Sequence, residues 1–505
     1  MQLSLQILLA AVPLFLLLQR LLSGRRGLRL PPGPKGLPLI GNIYDLSDLK
    51  GHLWVQYTKW AERYGEIFHY QVFGTHVVVL NSQKAIFELL EQRSYNYSDR
   101  PDMPMLVDLM GAGWNFGVMR YSDRWRLHRR TFHQFFQSRC QPEYYQAQRD
   151  ATLSLMHKLT TDPEHFFGHV SHHSGEILLK TVYGYTLHTE DDKYLQLVHN
   201  ALEGAVEAAN PGSFWVDYFP ILKHMPAWLP GASFKRKAKA WGKSFQDLVD
   251  QPWNWTREAM EEGTALPSFC TQSAERHSIT PGENSKMEQV IKNCAAFAYS
   301  AGTETTVSSI LSFILVMAIH PDLQIRAQKE LENVIGVGRL PDFEDQDKLP
   351  FIQVLISEIL RWNPVSPLAL PHRALHDDVY EGYAIPEGAT VVGNAWAVLH
   401  DEELYGANPL EFDPDRFLRK DGKVPPNPDL FAFGFGRRIC PGRYIALNTI
   451  YLTMVYLLTT YNITKAIDND GNEIEPRVQF AEGISSHPLP FKCRFIPRNL
   501  GAATA

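Results

Sequence analysis

A glycine-rich loop at positions 433–442, with the sequence FGFGRRICPG, places the strongest constraint on how this chain can fold. Glycine adopts backbone conformations that a Cβ forbids, so the loop can bring its backbone close to a flat group. Pro441 suits the first turn of the apolar segment that follows, and a helix N-terminus favours negative charge on the preceding Cys440 sulfur. Arg438 lies two residues before the cysteine, where it can meet a carboxylate. An isolated cysteine is usually a small buried hydrophobe, but these neighbours predict that Cys440 is a thiolate metal ligand.

Composition and charge narrow the class of protein. The chain has 505 residues, of which 45% are hydrophobic and 12% aromatic, and no linker or repeat divides it. The net charge of −6 and the pI of about 6.3 exclude a broad basic surface for nucleic acid. The five cysteines are widely spaced and free of CxxC pairs, which excludes a disulfide scaffold or a zinc ribbon and fits reduced thiols. We therefore expect one large catalytic domain and no nucleic-acid partner.

The N-terminal segment is rich in leucine and carries no charged side chain before Arg20. About 20 mostly apolar residues span a bilayer, so residues 1–22 are predicted to form a transmembrane anchor. The alternative, a cleaved signal peptide, lacks its charged start and its small-residue cleavage site. Arginines follow the apolar run, which by the positive-inside rule keeps the rest of the chain in the cytosol. Residues 23–40, basic and then proline-rich, are predicted to be a hinge, and residues 41–505 a single catalytic domain.

Local periodicity predicts the fold class. Apolar residues at helical spacing predict a helix at Leu53–Tyr64, and alternation predicts a strand pair at 67–73 and 76–80, turned at Gly74 and Thr75. Other strands are short, and longer segments are helical. The chain is therefore predicted to be mainly α with small β-sheets.

The segment 103–119 is apolar and glycine-rich without a clear period, which predicts either a poorly ordered surface or the wall of a pocket. The next helix opens at Asp123. Trp125 and Arg129 are four residues apart and share one face of it. The alternative for this helix is a solvated basic surface with one core tryptophan.

The longest apolar helix is predicted at 293–320 and contains the sequence AGTETT at 301–306. Gly302 costs about 1 kcal/mol relative to alanine, and threonine hydroxyls compete for backbone carbonyls, so we expect a break in the helix. Such a break leaves a groove beside an acid and an alcohol, Glu304 and Thr305, which can relay protons. The alternative is an ordinary helix with internal polar contacts.

Two further motifs follow. Within EILR at 358–361, Glu358 and Arg361 can pair, and the alternative is an exposed ion pair that contributes only about 0 to 1 kcal/mol. PDRF lies at 414–417 in an irregular stretch. Together with AGTETT and the cysteine loop, the chain thus has four motifs. They stand in the order and approximate spacing of the microsomal cytochromes P-450, which the chain resembles over essentially its whole length.

The resemblance implies haem b as the cofactor and Cys440 as the proximal thiolate ligand of its iron, because thiolate ligation favours O–O cleavage. It implies further haem contacts, including those to the propionates, from Arg100, Trp125, Arg129, His372, Phe433, Gly434 and Arg438. Glu304 and Thr305 resemble the acid–alcohol pair that delivers protons to bound dioxygen. A structural ion-pair cluster is implied at Glu358, Arg361 and Arg416.

The activity implied by the resemblance is insertion of one oxygen atom from O₂ into a lipophilic small molecule. Electrons are expected from an NADPH-dependent reductase, with cytochrome b5 as a further donor, in the endoplasmic reticulum membrane with the catalytic domain in the cytosol. The reductase would dock on a basic face at Arg126, Arg130 and Arg437. The segment 214–237 resembles fungal biosynthetic members, which favours a terpenoid or polyketide intermediate over xenobiotic clearance.

Two other readings of the same residues stay open at this point. One is a haem-thiolate isomerase or dehydratase that rearranges a peroxide without O₂ or a reductase, although Glu304 and Thr305 argue against it. The other is a haem-binding protein without catalysis. The walls of the substrate pocket are predicted at 103–119, in the residues before 301, at 365–370 and at 481–486.

Overall fold

The computed structural model describes residues 29–47, 49–187, 192–210, 212–280, 282, 285–336, 338–418 and 424–498. The predicted anchor at 1–22 and the first part of the predicted hinge lie outside the described residues. The described part of the hinge packs against the folded domain, because the Pro32 carbonyl oxygen accepts a hydrogen bond from the His69 amide and the Arg29 carbonyl oxygen accepts one from the Ala384 amide.

Helices make up most of the described chain. The α-helices, α1 to α17 in chain order, are Ile43–Ser47, Leu53–Tyr64, Gln83–Ile86, Asp123–Phe136, Tyr145–Thr161, Phe166–Leu178, Lys193–Ala209, Trp215–Tyr218, Ser233–Glu261, Phe269–Arg276, Lys286–Ile319, Pro321–Ile335, Pro350–Trp362, Ala395–Leu399, Glu402–Tyr405, Asp429–Ala432 and Arg443–Thr460. The strands, β1 to β9, are Ile67–Val72, Thr75–Leu80, His372–Arg373, Asp378–Tyr380, Tyr383–Ile385, Thr390–Gly393, Tyr461–Ile467, Glu473–Ile474 and Cys493–Pro497. The mainly α fold with small β-sheets is confirmed.

The largest sheet has the strand order β1-β2-β6-β3. Strands β1 and β2 are antiparallel, with Ile67 opposite Leu80, and β2 runs parallel to β6. The turn between β1 and β2 uses Phe73 and Gly74, whose φ angles are 48° and 87°. The predicted strand pair is therefore confirmed, with its turn one residue earlier than predicted.

The central helix is α11, which is 34 residues long. It is the one helix among the described residues that is long and apolar enough to cross a membrane, but 78% of its most apolar stretch is buried inside the protein. Two large apolar clusters, one around its N-terminal half and one around its C-terminal half, form most of the core. The helix therefore organises the interior of the domain.

The predicted break in this helix is wrong, because α11 runs without interruption from Lys286 to Ile319. The hydroxyls of Thr303 and Thr305 do donate to carbonyl oxygens one turn back, at 2.6 and 2.9 Å, without interrupting the helix. A Cβ at Gly302 would lie 2.8 Å from a methyl carbon of Leu178 on α6. Close packing of α6 against α11 therefore explains the glycine, and this packing outweighs its cost in the helix.

The Glu358–Arg361 pair is buried rather than exposed. The side chains of Glu358 and Arg361 are 0% exposed and that of Arg416 is 1% exposed. Glu358 accepts hydrogen bonds from both guanidinium groups and from the Asp413 amide. The exposed-pair alternative is thus wrong, and the cluster joins α13 to the segment that leads into the cysteine loop.

The segment 103–119 is ordered and contains two short turns of helix, Pro104–Leu109 and Ala112–Trp114. The Asp217 carboxylate accepts a hydrogen bond from the Met105 amide at 2.9 Å, which ties this segment to α8. Of the two alternatives for this segment, the structure supports the pocket wall.

Candidate active site

A cavity lies between α11 and the cysteine loop and, with its opening to solvent, encloses about 1580 Å³. Its lining is mainly apolar. The predicted site residues that line it are Arg100, Trp125, Arg129, Thr305, His372, Phe433, Gly434, Arg438 and Cys440. The fold thus brings to one cavity residues from segments that are far apart in the chain, while Glu304 lies outside the lining.

The cysteine loop folds back on itself. Gly434 and Gly436 have φ angles of 75° and 54°, a region in which residues with a Cβ are strained. At Gly436 a Cβ would also lie 2.2 Å from the Leu90 carbonyl oxygen. The Cys440 amide donates to the Phe433 carbonyl oxygen at 2.7 Å, which closes the loop and leaves the cysteine in the cavity wall.

The groups around Cys440 shift the pKa of its thiol in opposite directions. Burial raises the pKa of the Cys440 thiol. The Gly442 amide and the guanidinium groups of Arg129 and Arg443 lower this pKa, because they stabilise the thiolate. A bound metal ion deprotonates a coordinating thiol outright, so this environment is suited to a thiolate ligand.

Two arginines on the cavity wall are held by backbone carbonyl groups. Arg100 donates to the carbonyl oxygens of Gly117, Leu370 and Pro371, and Arg438 donates to those of Ser98, Phe116 and Met119. Burial lowers the pKa of Arg100 to about 10. Burial, together with the nearby Arg100 charge, lowers the pKa of Arg438 to about 8. Each guanidinium group is thus fixed in place but short of negative charge.

Three further polar side chains line the wall: Arg129, His372 and Trp125. Burial lowers the pKa of Arg129 to about 10 and that of His372 well below its usual range. The His372 Nδ1 donates to the Tyr97 carbonyl oxygen at 2.5 Å, so the neutral ring leaves its Nε2 as an acceptor. The Trp125 indole donates to the Phe116 carbonyl oxygen at 3.1 Å, and its ring lies 4.3 Å from the Arg438 guanidinium carbon. Trp125 therefore packs beside an arginine of the wall.

The donor set fits a haem with its two propionates. Arg100, Arg129 and Arg438 bring three cations to a buried wall, and the described residues that line the cavity include no aspartate or glutamate. Asp99 offsets part of the charge on Arg100 and Arg438 from outside the lining. A buried cation without a negatively charged partner is costly, and two carboxylates would supply the missing negative charge. Cys440 places its sulfur in the wall of the same cavity.

Glu304 and Thr305 are adjacent on α11 but have different surroundings. Thr305 lines the cavity, and its hydroxyl donates to the Ala301 carbonyl oxygen at 2.9 Å. The Glu304 side chain is 40% exposed, and one of its carboxylate oxygens is 3.8 Å from Nδ1 of His199. The alcohol therefore faces the cavity, whereas the acid lies outside the cavity lining and is partly exposed to solvent.

Three of the four predicted pocket walls contribute to the lining. The contributing residues of these walls are Phe116, Gly117, Phe297, Ala298, Val365, Ser366, Ala369 and Leu370. The prediction for 481–486 is wrong, because none of these residues lines the cavity. Ser486 instead lies behind the wall, where its amide donates to the Val365 carbonyl oxygen at 2.8 Å.

Several residues that line the cavity were missed by sequence reasoning. They lie on α4, α6 and α17 and include Phe132, Phe136, Ile177, Leu178, Ile445 and Thr449. An apolar residue on the inner face of a helix follows the same period whether it packs in the core or faces a cavity. No local signal distinguishes the two cases.

Comparison with known proteins agrees with this geometry. Residues 31–495 match the family model described as Cytochrome P450. The chain belongs to the cytochrome P450 family. It is 41% identical to a cytochrome P450 monooxygenase of Armillaria gallica over 99% of this chain and 98% of that protein, and 39% identical to one of Postia placenta over 98% and 95%. It is 40% identical to the tryptamine 4-monooxygenase of Psilocybe cyanescens over 93% of each chain.

Membership of this family establishes the class of enzyme. The protein is a haem-dependent monooxygenase and thus an oxidoreductase. The P450 family implies haem iron with a thiolate ligand, a reductase as redox partner and a small-molecule substrate.

Proposed function

We propose that this P450 inserts one oxygen atom from O₂ into a lipophilic biosynthetic intermediate of the terpenoid or polyketide class. The apolar cavity carries this proposal, because an apolar wall selects ligands that gain free energy by leaving water. Its few hydroxyl groups, among them Ser174, Thr305 and Ser309, can orient a substrate without attracting a charge.

The comparison proteins support a biosynthetic role over xenobiotic clearance. They come from fungi, and one of them is named for a single defined hydroxylation, tryptamine 4-monooxygenase. Incubation of the reductase-reconstituted enzyme with a panel of neutral terpenoids and polyketides, followed by mass spectrometry, tests the proposal. A product that is heavier by one oxygen atom and requires both NADPH and O₂ is expected. Product that forms in the absence of both NADPH and O₂ would favour the isomerase or dehydratase alternative.

When bound, haem supplies a thiolate-ligated iron that activates dioxygen. The chain's own residues have three tasks around it. Arg100, Arg129 and Arg438 would bind and orient the propionates, and Phe433 and Gly434 lie in the wall on the cysteine side. The apolar lining excludes water, which limits side reactions. The Thr305 hydroxyl and the Glu304 carboxylate carry protons from the solvent edge into the cavity.

Replacement of Thr305 by alanine is expected to uncouple electron consumption from product formation. The Thr305 hydroxyl lies on the cavity face of α11, and without it protons arrive through water that no side chain orders. Product formed per NADPH is expected to fall about tenfold, while NADPH oxidation continues and hydrogen peroxide rises. NADPH, product and peroxide are measured together. Thr305→Ser keeps the hydroxyl and is expected to stay coupled, whereas wild-type coupling in Thr305→Ala would remove this residue from the relay.

The redox partner is proposed to be an NADPH-dependent flavoprotein reductase, with cytochrome b5 as a second donor. Exposed cations support a docking face near the cysteine loop. The guanidinium carbons of Arg126 and Arg437 lie 5.3 and 5.9 Å from the centre of the Tyr121 ring, and Arg130 is exposed on the same helix as Arg126. An acidic partner surface would be attracted to this face.

Arg130→Glu is expected to slow the first electron transfer about tenfold at low ionic strength, because charge reversal weakens electrostatic attraction. The difference from wild type is expected to disappear near 1 M salt, where charges are screened beyond about 3 Å. Stopped-flow reduction under CO measures the rate. Arg63→Glu, on α2, controls for the change in net charge. A salt-independent rate, or an equal loss in both variants, would place the docking face elsewhere.

The enzyme is proposed to act at the endoplasmic reticulum membrane, held by residues 1–22, with its catalytic domain in the cytosol. Exposed apolar side chains on a second part of the surface support contact with lipid. Trp215, Ile221 and Trp228 are 60%, 74% and 79% exposed, and Lys223 and Arg236 lie in the same region of the chain. Aromatic and basic side chains together suit a membrane interface. Flotation of the full chain with anionic vesicles tests this, and protein that remains unbound would contradict it.

A further inference from the structure

Glu304 has a partner from another helix. His199 lies on α7, and its Nδ1 is 3.8 Å from a carboxylate oxygen of Glu304. The two side chains are 62% and 40% exposed, so the pair is in contact with solvent, and neither residue lines the cavity. One bridging water or a small rotamer change is sufficient to complete the hydrogen bond.

The packing of α7 against α11 brings the two residues together. The hydroxyl of Tyr299, which is fully buried, donates to the Tyr194 carbonyl oxygen at 2.8 Å. Tyr299 lies a little over one turn before Glu304, and Tyr194 lies the same distance before His199. This buried hydrogen bond joins the two helices close to His199 and Glu304 and keeps these side chains within reach of each other.

Two histidines interact electrostatically with the Glu304 carboxylate. The Glu304 carboxylate raises the pKa of His199. His487, on the C-terminal loop, also faces this carboxylate, which opposes the lowering of the His487 pKa by burial. Glu203 lies one turn further along α7 and is exposed. Glu304 is therefore the acid that connects two histidines from separate elements.

We propose that His199 is a positioning residue for proton delivery, whose imidazolium holds the Glu304 carboxylate at the solvent edge and returns protons to it. This inference rests on the proposed relay through Glu304 and Thr305. In each transfer the proton on His199 Nδ1 moves to the Glu304 carboxylate, which becomes a carboxylic acid and passes a proton inward. The imidazole then regains a proton from solvent, and nothing is oxidised or reduced. A histidine suits this step because its pKa lies near the working pH.

The pH dependence follows from the sign of the shift. Because the folded protein raises the pKa of His199, the ion pair is complete below the ordinary value of 6.5 and is lost as the pH rises through the raised value. Proton supply through His199 is therefore expected to fall on the alkaline side.

The first test measures the pair itself. Histidine-selective ¹³C labelling of the CO-bound ferrous holoenzyme, titrated by NMR, gives the pKa of His199, whose signal is assigned by its loss in His199→Gln. The pKa is expected to lie above the ordinary histidine value in the wild type and to fall in Glu304→Gln. A fall in Glu203→Gln and not in Glu304→Gln would overturn the proposal, because the partner would then be the wrong acid.

The second test measures proton supply as the hydrogen peroxide released per NADPH consumed by the reductase-reconstituted holoenzyme, without added substrate, in H₂O and D₂O. His199→Gln is expected to raise the peroxide released per NADPH severalfold below the raised pKa, to enlarge the effect of D₂O on that ratio and to remove its increase on the alkaline side. His157→Gln, at an exposed position on α5, is the matched control and is expected to behave as wild type. If Glu304→Gln raises the peroxide released per NADPH and His199→Gln does not, the inference fails and the relay stands. If neither variant differs from wild type, the proposed relay through Glu304 is wrong as well.

Discussion

A Cys440→Ser enzyme is expected to show no monooxygenase activity and no thiolate signature in the spectrum of its reduced, CO-treated form. Serine differs from cysteine by one atom, and the hydrogen bond from the residue 440 amide to the Phe433 carbonyl oxygen does not involve the side chain. The loop is therefore expected to keep its shape. A hydroxyl group stays protonated at neutral pH, however, and cannot replace an electron-rich thiolate on iron. Turnover is expected to fall to background.

The matched control is Cys140→Ser. The Cys140 thiol donates to the Gln134 carbonyl oxygen at 3.3 Å, a bond that a serine hydroxyl can also make, and Cys140 does not line the cavity. This variant is expected to keep both the spectrum and the activity. Wild-type activity in Cys440→Ser, or equal loss in both variants, would remove Cys440 from the role of iron ligand.

Glu358→Ala is expected to have the largest effect on stability. The substitution leaves the guanidinium groups of Arg361 and Arg416 buried without a carboxylate, and it removes the acceptor for the Asp413 amide. Breaking a buried ion pair by removal of one partner costs about 3 to 5 kcal/mol. Because that is a large part of the stability of a typical domain, little folded holoenzyme is expected. Urea unfolding and the yield of haem-loaded protein measure the loss.

Two companion variants keep this prediction testable. Glu358→Gln retains an acceptor for the Asp413 amide and is expected to fold with a smaller loss, since only the charge is removed. Glu381→Ala removes an exposed carboxylate that pairs with Lys84, and such pairs contribute about 0 to 1 kcal/mol. Similar losses of unfolding free energy in Glu358→Ala and Glu381→Ala would show that the buried cluster has no special role.

Much of the local structure was predictable. Leu53–Tyr64 and the β1–β2 pair follow from the spacing of apolar residues, and the helix predicted to open at Asp123 begins there. The break predicted near Gly302 failed for a physical reason. The cost of glycine in a helix is local and small, whereas its contact with Leu178 depends on a helix more than 100 residues earlier in the chain.

The sequence by itself determined the chemistry of this enzyme. The cysteine predicted to bind the iron, the glycines that let the backbone turn and the helix that follows all lie within or next to ten consecutive residues, 433–442, so short-range rules are sufficient to interpret them.

Only the tertiary structure decided which charges are buried and which groups meet. It buried Glu358 and Arg361, placed Arg100 and Arg438 in one cavity wall, and set His199 against Glu304. The physical reason is that burial and ion pairing depend on distances between segments remote in the chain. The spacing of apolar residues along a helix or strand reflects local geometry alone, so it does not indicate those distances.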